Sequence, residues 1–173
     1  MLADNHADQI ATILAKYPPD QKRSAVMPLL YLAQSEYGYI TPGAMVEVGQ
    51  LTDLSPTEVA SVVGFYTLYS DASFGKRRMQ ICTDLPCALR GAEAFAGEVC
   101  QKLGVKPGQI TKDGEVMVET VMCLAGCDHA PMFQVQDAHG VHYHESPPGQ
   151  PMTADQALAI LDQYKQASLG TSS

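Results

Sequence analysis

Four of the five cysteines in this 173-residue chain fall into two closely spaced pairs. Cys82 and Cys87 stand in the segment Cys-Thr-Asp-Leu-Pro-Cys, and Cys123 and Cys127 stand in the segment Cys-Leu-Ala-Gly-Cys. Two thiolates on one short loop that face two on another can complete the coordination of two linked iron atoms, one pair to each iron. The spacing therefore favours a 2Fe-2S centre, whose chemistry is electron transfer.

Other kinds of cysteine site fit the same four residues. Structural zinc accepts four thiolates and tolerates such gaps, although its pairs more often have only two residues between them. Disulfides are disfavoured because residues 1–8 have neither the basic nor the apolar region of a secretory signal, so a reducing cytoplasm is expected. A thioredoxin-like thiol oxidoreductase is disfavoured because its two-residue gap between active cysteines is missing. Iron-sulfur and zinc sites remain open at this point.

The composition excludes several functional classes. With 46% apolar and 17% charged residues, the chain is expected to bury a core like an ordinary globular protein. The formal net charge of −8 comes without a basic patch, so no nucleic-acid partner is expected. No stretch is long and apolar enough to span a bilayer, so we expect no direct membrane insertion and membrane association only through a partner. A glycine-rich dinucleotide-binding loop is also missing.

Residues 1–75 are predicted to form a helical bundle. Two helices are expected before residue 35, the second over residues 20–34, where Pro28 marks either a kink or the true start. Thr41-Pro42 predicts a third helix start, and Ser55-Pro-Thr-Glu58 predicts a fourth with a capping box. We therefore expect four short helices, followed by a domain boundary near the end of this region.

Residues 76–173 change to the two-residue period that is typical of strands. Strands are expected at residues 79–82, 116–121, 132–136 and 141–144, and helices at residues 92–103 and after the capping box at residues 153–156. This order predicts a small α/β domain with one crossover connection and an antiparallel edge.

Two segments resemble the cluster motifs of the small 2Fe-2S subunit of respiratory complex I, NADH:quinone oxidoreductase. They are Gln-Ile-Cys-Thr-Asp-Leu-Pro-Cys-Ala-Leu-Arg-Gly at residues 80–91 and Cys-Leu-Ala-Gly-Cys-Asp-His-Ala-Pro-Met at residues 123–132. Segments at residues 16–19, 27–30 and 64–67 are similar to parts of the family's helical region. The resemblance implies an α+β fold, in which an N-terminal helical bundle is followed by a thioredoxin-like α/β ferredoxin domain.

The resemblance also implies a site and a partner. Cys82, Cys87, Cys123 and Cys127 would be the ligands of one 2Fe-2S cluster, and no catalytic residue is expected on this chain. The chain would act as an electron-transfer subunit of the oxidoreductase, and its partner subunit would bind FMN and NADH. Related subunits serve NAD-linked hydrogenases and formate dehydrogenases, which the motifs do not separate. The expected location is cytoplasmic, peripheral at the inner membrane through the complex.

The loop between the last two cysteines departs from the family pattern. The family usually has Leu-Gly-Ala or Leu-Gly-Ser there, whereas this chain has Leu124-Ala125-Gly126. Because glycine adopts positive φ readily, we expect the residue with positive φ to be Gly126, one position later than in the family. In the other loop, Cys87 lies between a strand and a helix, where a helix N-terminus is expected to favour its thiolate.

The remaining candidate residues have structural interpretations. Cys100 lies on the apolar side of a predicted helix and is expected to be a small buried hydrophobe. His142 and His144 share one face of a predicted strand, for which we favour a solvated face over a metal site. Three aromatic residues are interpreted as helix packing or a subunit-facing patch: Phe65, Tyr66 and Tyr69.

Overall fold

The computed structural model of the chain describes residues 2–170, with side chains as far as residue 166. The chain divides into two compact units between Phe74 and Gly75, and each unit has its own hydrophobic core. Within the described residues, no helix combines the length and the apolar character needed to cross a membrane. The predicted α+β fold class is confirmed.

The first unit is helical, as predicted. Its elements are α1 (Leu2–Asn5), α2 (Ala7–Leu14), a 3-10 helix (Lys22–Ala25), α3 (Val26–Tyr37), α4 (Pro42–Thr52) and α5 (Pro56–Phe65). The expected count of four short helices is wrong for the described residues, because His6 leaves the helical conformation and separates the single turn α1 from α2. Pro28 lies in the first turn of α3, where its missing N–H breaks no intrahelical bond, so it marks a helix start.

Two predicted capping signals position α4 and α5. The Thr41 hydroxyl accepts a hydrogen bond from the Ala44 N–H at 3.1 Å, with proline at the start of α4. The Ser55 hydroxyl accepts from the Glu58 N–H at 3.3 Å, and the Glu58 carboxylate accepts from the Ser55 N–H at 2.9 Å. These bonds satisfy backbone donors that have no partner within a helix, and each is typically worth about 1 kcal/mol.

The core of this unit lies where α3, α4 and α5 meet. Leu29, Val48 and Val59, one from each helix, are completely buried. Tyr69 follows α5 and is also buried, and its hydroxyl donates to the backbone carbonyl of Met27 at 3.0 Å. The apolar ring is thereby removed from water while its polar end keeps a partner.

The second unit contains one mixed sheet. Its elements are β1 (Arg77–Cys82), α6 (Leu85–Ala88), α7 (Ala92–Leu103), β2 (Gln109–Ile110), β3 (Val116–Val121), a 3-10 helix (Cys127–His129), β4 (Phe133–Asp137), β5 (Gly140–His144) and α8 (Ala154–Gly170). The strand order is β2-β3-β1-β4-β5, with β1 and β3 parallel and the other neighbours antiparallel. The predicted crossover and antiparallel edge are present, whereas α6 and β2 were not predicted.

One face of the sheet packs against α7 and α8. Met79 and Ile81 of β1 are completely buried in a cluster that includes Val99 of α7 and Leu161 of α8. Burying a side chain of this size contributes about 1.5–3 kcal/mol, so this layer holds the crossover helix on the sheet. α8 begins at the predicted capping box, where the Thr153 hydroxyl accepts from the Gln156 N–H at 3.3 Å.

The opposite face of β1 is polar although it is buried. Arg78 and Gln80 alternate with Met79 and Ile81 and are at most 7% exposed. Both donate to the same carboxylate oxygen of Glu119 on β3, from Gln80 Nε2 at 2.9 Å. Cys82 follows on this face because side chains alternate along a strand. The first cysteine is thus carried by a strand that is anchored on both of its faces.

The expectation of a solvated face is wrong for His144, whereas the His142 side chain remains 43% exposed. His144 stacks on Phe133, with 4.9 Å between the ring centroids, and one of its ring nitrogens lies 2.9 Å from the Tyr164 hydroxyl. Burial lowers the pKa of His144, and positive charge on His142 lowers it further. The strand face packs under α8, a long-range contact that the alternation of two histidines does not reveal.

An ion pair joins the segment before α2 to α3. His6 Nε2 lies 2.8 Å from Glu36 Oε2. The hydrogen bond that His6 donates to Glu36 raises the pKa of His6 above its ordinary 6.5 and lowers the pKa of Glu36 below its ordinary 4.5. The His6 contribution to stability is present below pH 6.5 and is lost as the pH rises through its raised pKa. The Glu36 contribution is present above pH 4.5 and is lost as the pH falls through its lowered pKa.

We therefore predict that the pair stabilises the helical unit most between pH 4.5 and 6.5. Glu36→Gln should lower the urea midpoint of unfolding more at about pH 5.5 than at about pH 8. Asp8→Asn is the control, since it removes a carboxylate from α2 without touching His6. An equal effect of Glu36→Gln at both pH values would contradict the prediction.

Candidate metal centre

The pairing of β1 with β3 brings the two cysteine segments together. Cys82 is the last residue of β1 and is aligned with Val121, the last residue of β3. Parallel strands end at the same edge of a sheet, so the chain leaves both strands side by side. Cys123 follows only two residues after Val121. The two cysteine segments, which are distant in sequence, therefore start next to each other at one edge of the sheet.

Backbone hydrogen bonds hold the end of β1 on both sides. The Thr83 N–H donates to the Val121 carbonyl at 3.0 Å, and the Cys82 N–H donates to the Met132 carbonyl at 3.1 Å. Val121 precedes the second cysteine pair and Met132 follows it. The loop that carries Cys123 and Cys127 is therefore fastened at both ends to the strand that carries Cys82.

The first pair is buried. Cys82 and Cys87 are each 1% exposed, in an apolar cluster with Ala92, Ala130 and Met132. Burial and a hydrogen bond with Cys82 raise the pKa of Cys87 to about 11, while the backbone N–H of Met132 opposes this by donating to its sulfur. Cys87 lies in the first turn of α6, as expected, but this helix has only four residues, and burial is the dominant effect on the pKa of the thiol.

The second pair is exposed. The Cys123 and Cys127 sulfurs lie 3.5 Å apart, and the Ala125 N–H donates to Cys123 Sγ at 3.3 Å. The hydrogen bond with Cys123 raises the pKa of Cys127, with a smaller contribution from burial. A backbone N–H thus reaches a cysteine sulfur in each pair, and such bonds stabilise thiolate ligands.

The donor set fits a two-iron cluster. Negative charge on Cys82 raises the pKa of Cys127, and charge on Cys127 raises that of Cys87, so the two pairs are within electrostatic range. Among the described residues, no group of three or more His, Cys, Asp or Glu is arranged to hold a single metal ion. Two separate pairs of thiols match a cluster in which each iron takes two protein ligands.

The loop backbone overturns the expectation about glycine. Ala125 has the positive φ, +68°, whereas Gly126 has φ −94°. At Gly126 the constraint is packing instead: a Cβ there would force the sulfur of the buried Met132 side chain to shift and would lie 3.3 Å from a Glu145 carboxylate oxygen. Alanine in the left-handed region costs about 1–2 kcal/mol, so this loop is strained at Ala125.

The remaining predictions concern residues outside the two pairs. Cys100 is 5% exposed within the α7 core and is confirmed as a buried hydrophobe. Tyr69 packs in the helical unit, whereas Phe65 is 77% exposed, so the aromatic set divides between packing and surface. Helix α6 was missed from the sequence, although Asp84 and Pro86 form a helix-start signal.

One known protein family matches most of the chain. Residues 10–165 match the family described as thioredoxin-like [2Fe-2S] ferredoxin. The chain belongs to that family. The predicted resemblance is thereby confirmed, and the match extends over both compact units of this thioredoxin-like ferredoxin.

Relatives with similar sequences are named as NADH-quinone oxidoreductase subunits or as an NADH dehydrogenase flavoprotein. NADH-quinone oxidoreductase subunit 2 of Thermus thermophilus is 41% identical over 134 residues, which cover 78% of this ferredoxin and 74% of the relative. A NADH-quinone oxidoreductase subunit of Rhizobium meliloti is 33% identical over 95% of this chain and 92% of its own. The mitochondrial NADH dehydrogenase [ubiquinone] flavoprotein 2 of Dictyostelium discoideum is 33% identical over 91% of this chain and 60% of its own.

Solved structures show the same fold. An NAD+-reducing [NiFe]-hydrogenase in the air-oxidized state aligns with 87% of this ferredoxin at a TM-score of 0.64 and 18% identity. This ferredoxin spans only 24% of that hydrogenase chain. The likeness therefore establishes the fold alone.

We predict opposite effects of two substitutions in the Cys123–Cys127 loop. Ala125→Gly should raise the free energy of unfolding by about 0.5–1 kcal/mol, because relief of the left-handed strain exceeds the added flexibility of glycine. Gly126→Ala should lower it by about 1–3 kcal/mol, because the methyl group meets the buried Met132 side chain. Thermal unfolding of the metal-free protein measures both effects.

Gly97→Ala is the matched control for this pair. Gly97 lies in α7, and a Cβ there would meet no atom within 4 Å. The same Gly→Ala change should therefore stabilise the helix by about 0.5–1 kcal/mol. If Gly126→Ala behaved like Gly97→Ala, the packing role of Gly126 would be wrong.

Proposed function

We propose that this chain binds one 2Fe-2S cluster through Cys82, Cys87, Cys123 and Cys127 and serves as an electron-transfer subunit of a complex I-type NADH:quinone oxidoreductase. The observation that carries the proposal is the convergence of two thiol pairs at the shared end of β1 and β3. Family membership supports iron-sulfur over the zinc site that the spacing alone left open. On this proposal, residues 76–173 form the cluster domain and residues 1–75 a helical domain.

The cysteines have different surroundings and would act differently. The buried pair, Cys82 and Cys87, would bind one iron away from water, and the exposed pair, Cys123 and Cys127, would bind the other near the surface. A bound 2Fe-2S cluster supplies one-electron chemistry. Ligand thiols lose their protons on binding, so the raised pKa of Cys87 means that loading releases protons at neutral pH.

The partner is proposed to be the subunit that binds FMN and NADH. This chain would exchange electrons with the FMN of that subunit. Apolar side chains flank both cysteine loops: Leu85 is 67% exposed, Leu89 is 79% exposed and Met122, directly before Cys123, is 75% exposed. Exposed apolar residues around a site commonly mark a protein interface. Relatives named as subunits of a larger enzyme support a protein partner here.

The location of the chain is inferred from its relatives. They belong by name to NADH-quinone oxidoreductases, so we infer that this chain is peripheral to the membrane and attached through its complex at the cytoplasmic face. A hydrogenase host is supported only by a fold likeness at 18% identity.

The cluster is tested by spectroscopy and metal analysis of protein purified without oxygen. We expect two irons and two sulfides per chain, visible absorption, and an S = 1/2 EPR signal after dithionite reduction. Cys87→Ser should change or abolish the signal, since it removes a ligand. Cys100→Ser is the control and should leave the signal unchanged, because Cys100 lies in the core of α7. A colourless protein with one zinc would overturn the proposal.

The partner is tested by co-expression with the flavin subunit of the same operon or complex. NADH should reduce the cluster only when that subunit is present. Leu89→Glu should weaken co-purification, since it places a charge in the proposed interface, and should leave the EPR signal of the isolated chain unchanged. Ile110→Glu is the control, because Ile110 is an exposed apolar residue on edge strand β2. Equal binding by both variants would remove this surface from the proposal.

A further inference from the structure

The two cysteine pairs differ in their access to solvent. Cys82 and Cys87 are 1% exposed, whereas Cys123 and Cys127 are exposed and their sulfurs lie only 3.5 Å apart. Binding a metal through four equivalent cysteines does not require one pair to be more exposed to solvent than the other. It means that a reagent in solution meets one pair of thiols and not the other.

We propose that Cys123 and Cys127 of the cluster-free chain form a reversible disulfide under oxidising conditions, by exchange with a low-molecular-weight disulfide such as glutathione disulfide. One cysteine thiolate attacks a sulfur of glutathione disulfide, forming a mixed disulfide and releasing one glutathione thiol. The second cysteine then attacks the sulfur bound to the first, forming the Cys123–Cys127 bond and releasing the other. Two cysteine thiols are oxidised, and one glutathione disulfide is reduced to two thiols.

The loop geometry favours the second step. The two sulfurs are already neighbours at 3.5 Å, so bridging requires them to approach by about 1.5 Å, to the ordinary S–S distance near 2.05 Å. The loop turns at Ala125, and two of the three intervening residues, Ala125 and Gly126, have a small side chain or none. An intramolecular thiol at this distance reacts much faster than a second glutathione from solution.

The other thiols are protected by packing. Cys82 and Cys87 lie in an apolar cluster with Met132, where each is only 1% exposed and is shielded from glutathione. Cys100 is buried in the α7 core. Because exchange requires direct access to sulfur, we expect the exposed pair to react at least about tenfold faster than either buried site.

The disulfide would control loading of the site, a consequence that rests on the proposed function. A bridged Cys123–Cys127 pair has no thiolate to offer, so half of the ligand set is withdrawn until a thiol reductant reopens it. Oxidation would therefore stop cluster insertion while the buried pair stays reduced.

The test uses the full-length chain freed of metal under reducing conditions and then treated with glutathione disulfide. At intervals, samples are unfolded, their free thiols are alkylated, and the peptides are identified by mass spectrometry. We expect a product that has lost two hydrogens, linked between Cys123 and Cys127, while Cys82, Cys87 and Cys100 are alkylated. Cys127→Ser should stop at a glutathione adduct on Cys123, because the resolving thiol is missing. Cys82→Ser should still form the bridge.

Two results would overturn the proposal: lasting glutathione adducts on both Cys123 and Cys127 of the unmodified chain, or oxidation of the buried pair at an equal rate. A second measurement follows absorbance after iron and sulfide are added to the oxidised chain. We expect no cluster until dithiothreitol is added. If the bridge forms but the reduced chain never takes up iron and sulfide, the disulfide stands and the proposed cluster function fails.

Discussion

The parallel pairing of β1 with β3 is the interaction on which the site depends. It aligns Cys82 with Val121, so both cysteine segments leave the sheet at the same edge. Parallel neighbours require a crossover, and α7 provides it by packing Val99 against the face that carries Met79 and Ile81. Any change that loosens α7 from the sheet therefore acts on the distance between the cysteine pairs, although no residue of α7 is a proposed ligand.

The two cysteine loops hold their thiols in different ways. The first is buried, and its cysteines are surrounded by Ala92, Ala130 and Met132. The second stays at the surface and is held by its ends and by a strained turn at Ala125. Met132 links the two, since it packs beside the buried pair and also occupies the space that a side chain at position 126 would need. Burial shields the pair Cys82 and Cys87 from solvent, whereas the pair Cys123 and Cys127 is accessible to solvent and reagents.

Several parts of the structure follow from local sequence. The starts of α4, α5 and α8 coincide with their capping signals, because a cap involves only four consecutive residues. The bounds of α7 and β3 agree with the periodicity of their apolar residues. Other features depend on distant contacts: the solvated face expected for His144 is instead covered by Phe133 and Tyr164.

The sequence by itself determined that four thiols group into two pairs, because this depends only on residue type and spacing, and it left iron-sulfur and zinc sites open. It did not determine the environment of each thiol. Whether Cys87 is buried, whether Cys127 is exposed, and which residue of the last loop takes positive φ all depend on what packs against them. The buried side chain of Met132, six residues later in the chain, folds back against Gly126 and meets any side chain added there. Local patterns contain no information about such neighbours, so only the folded structure decided them.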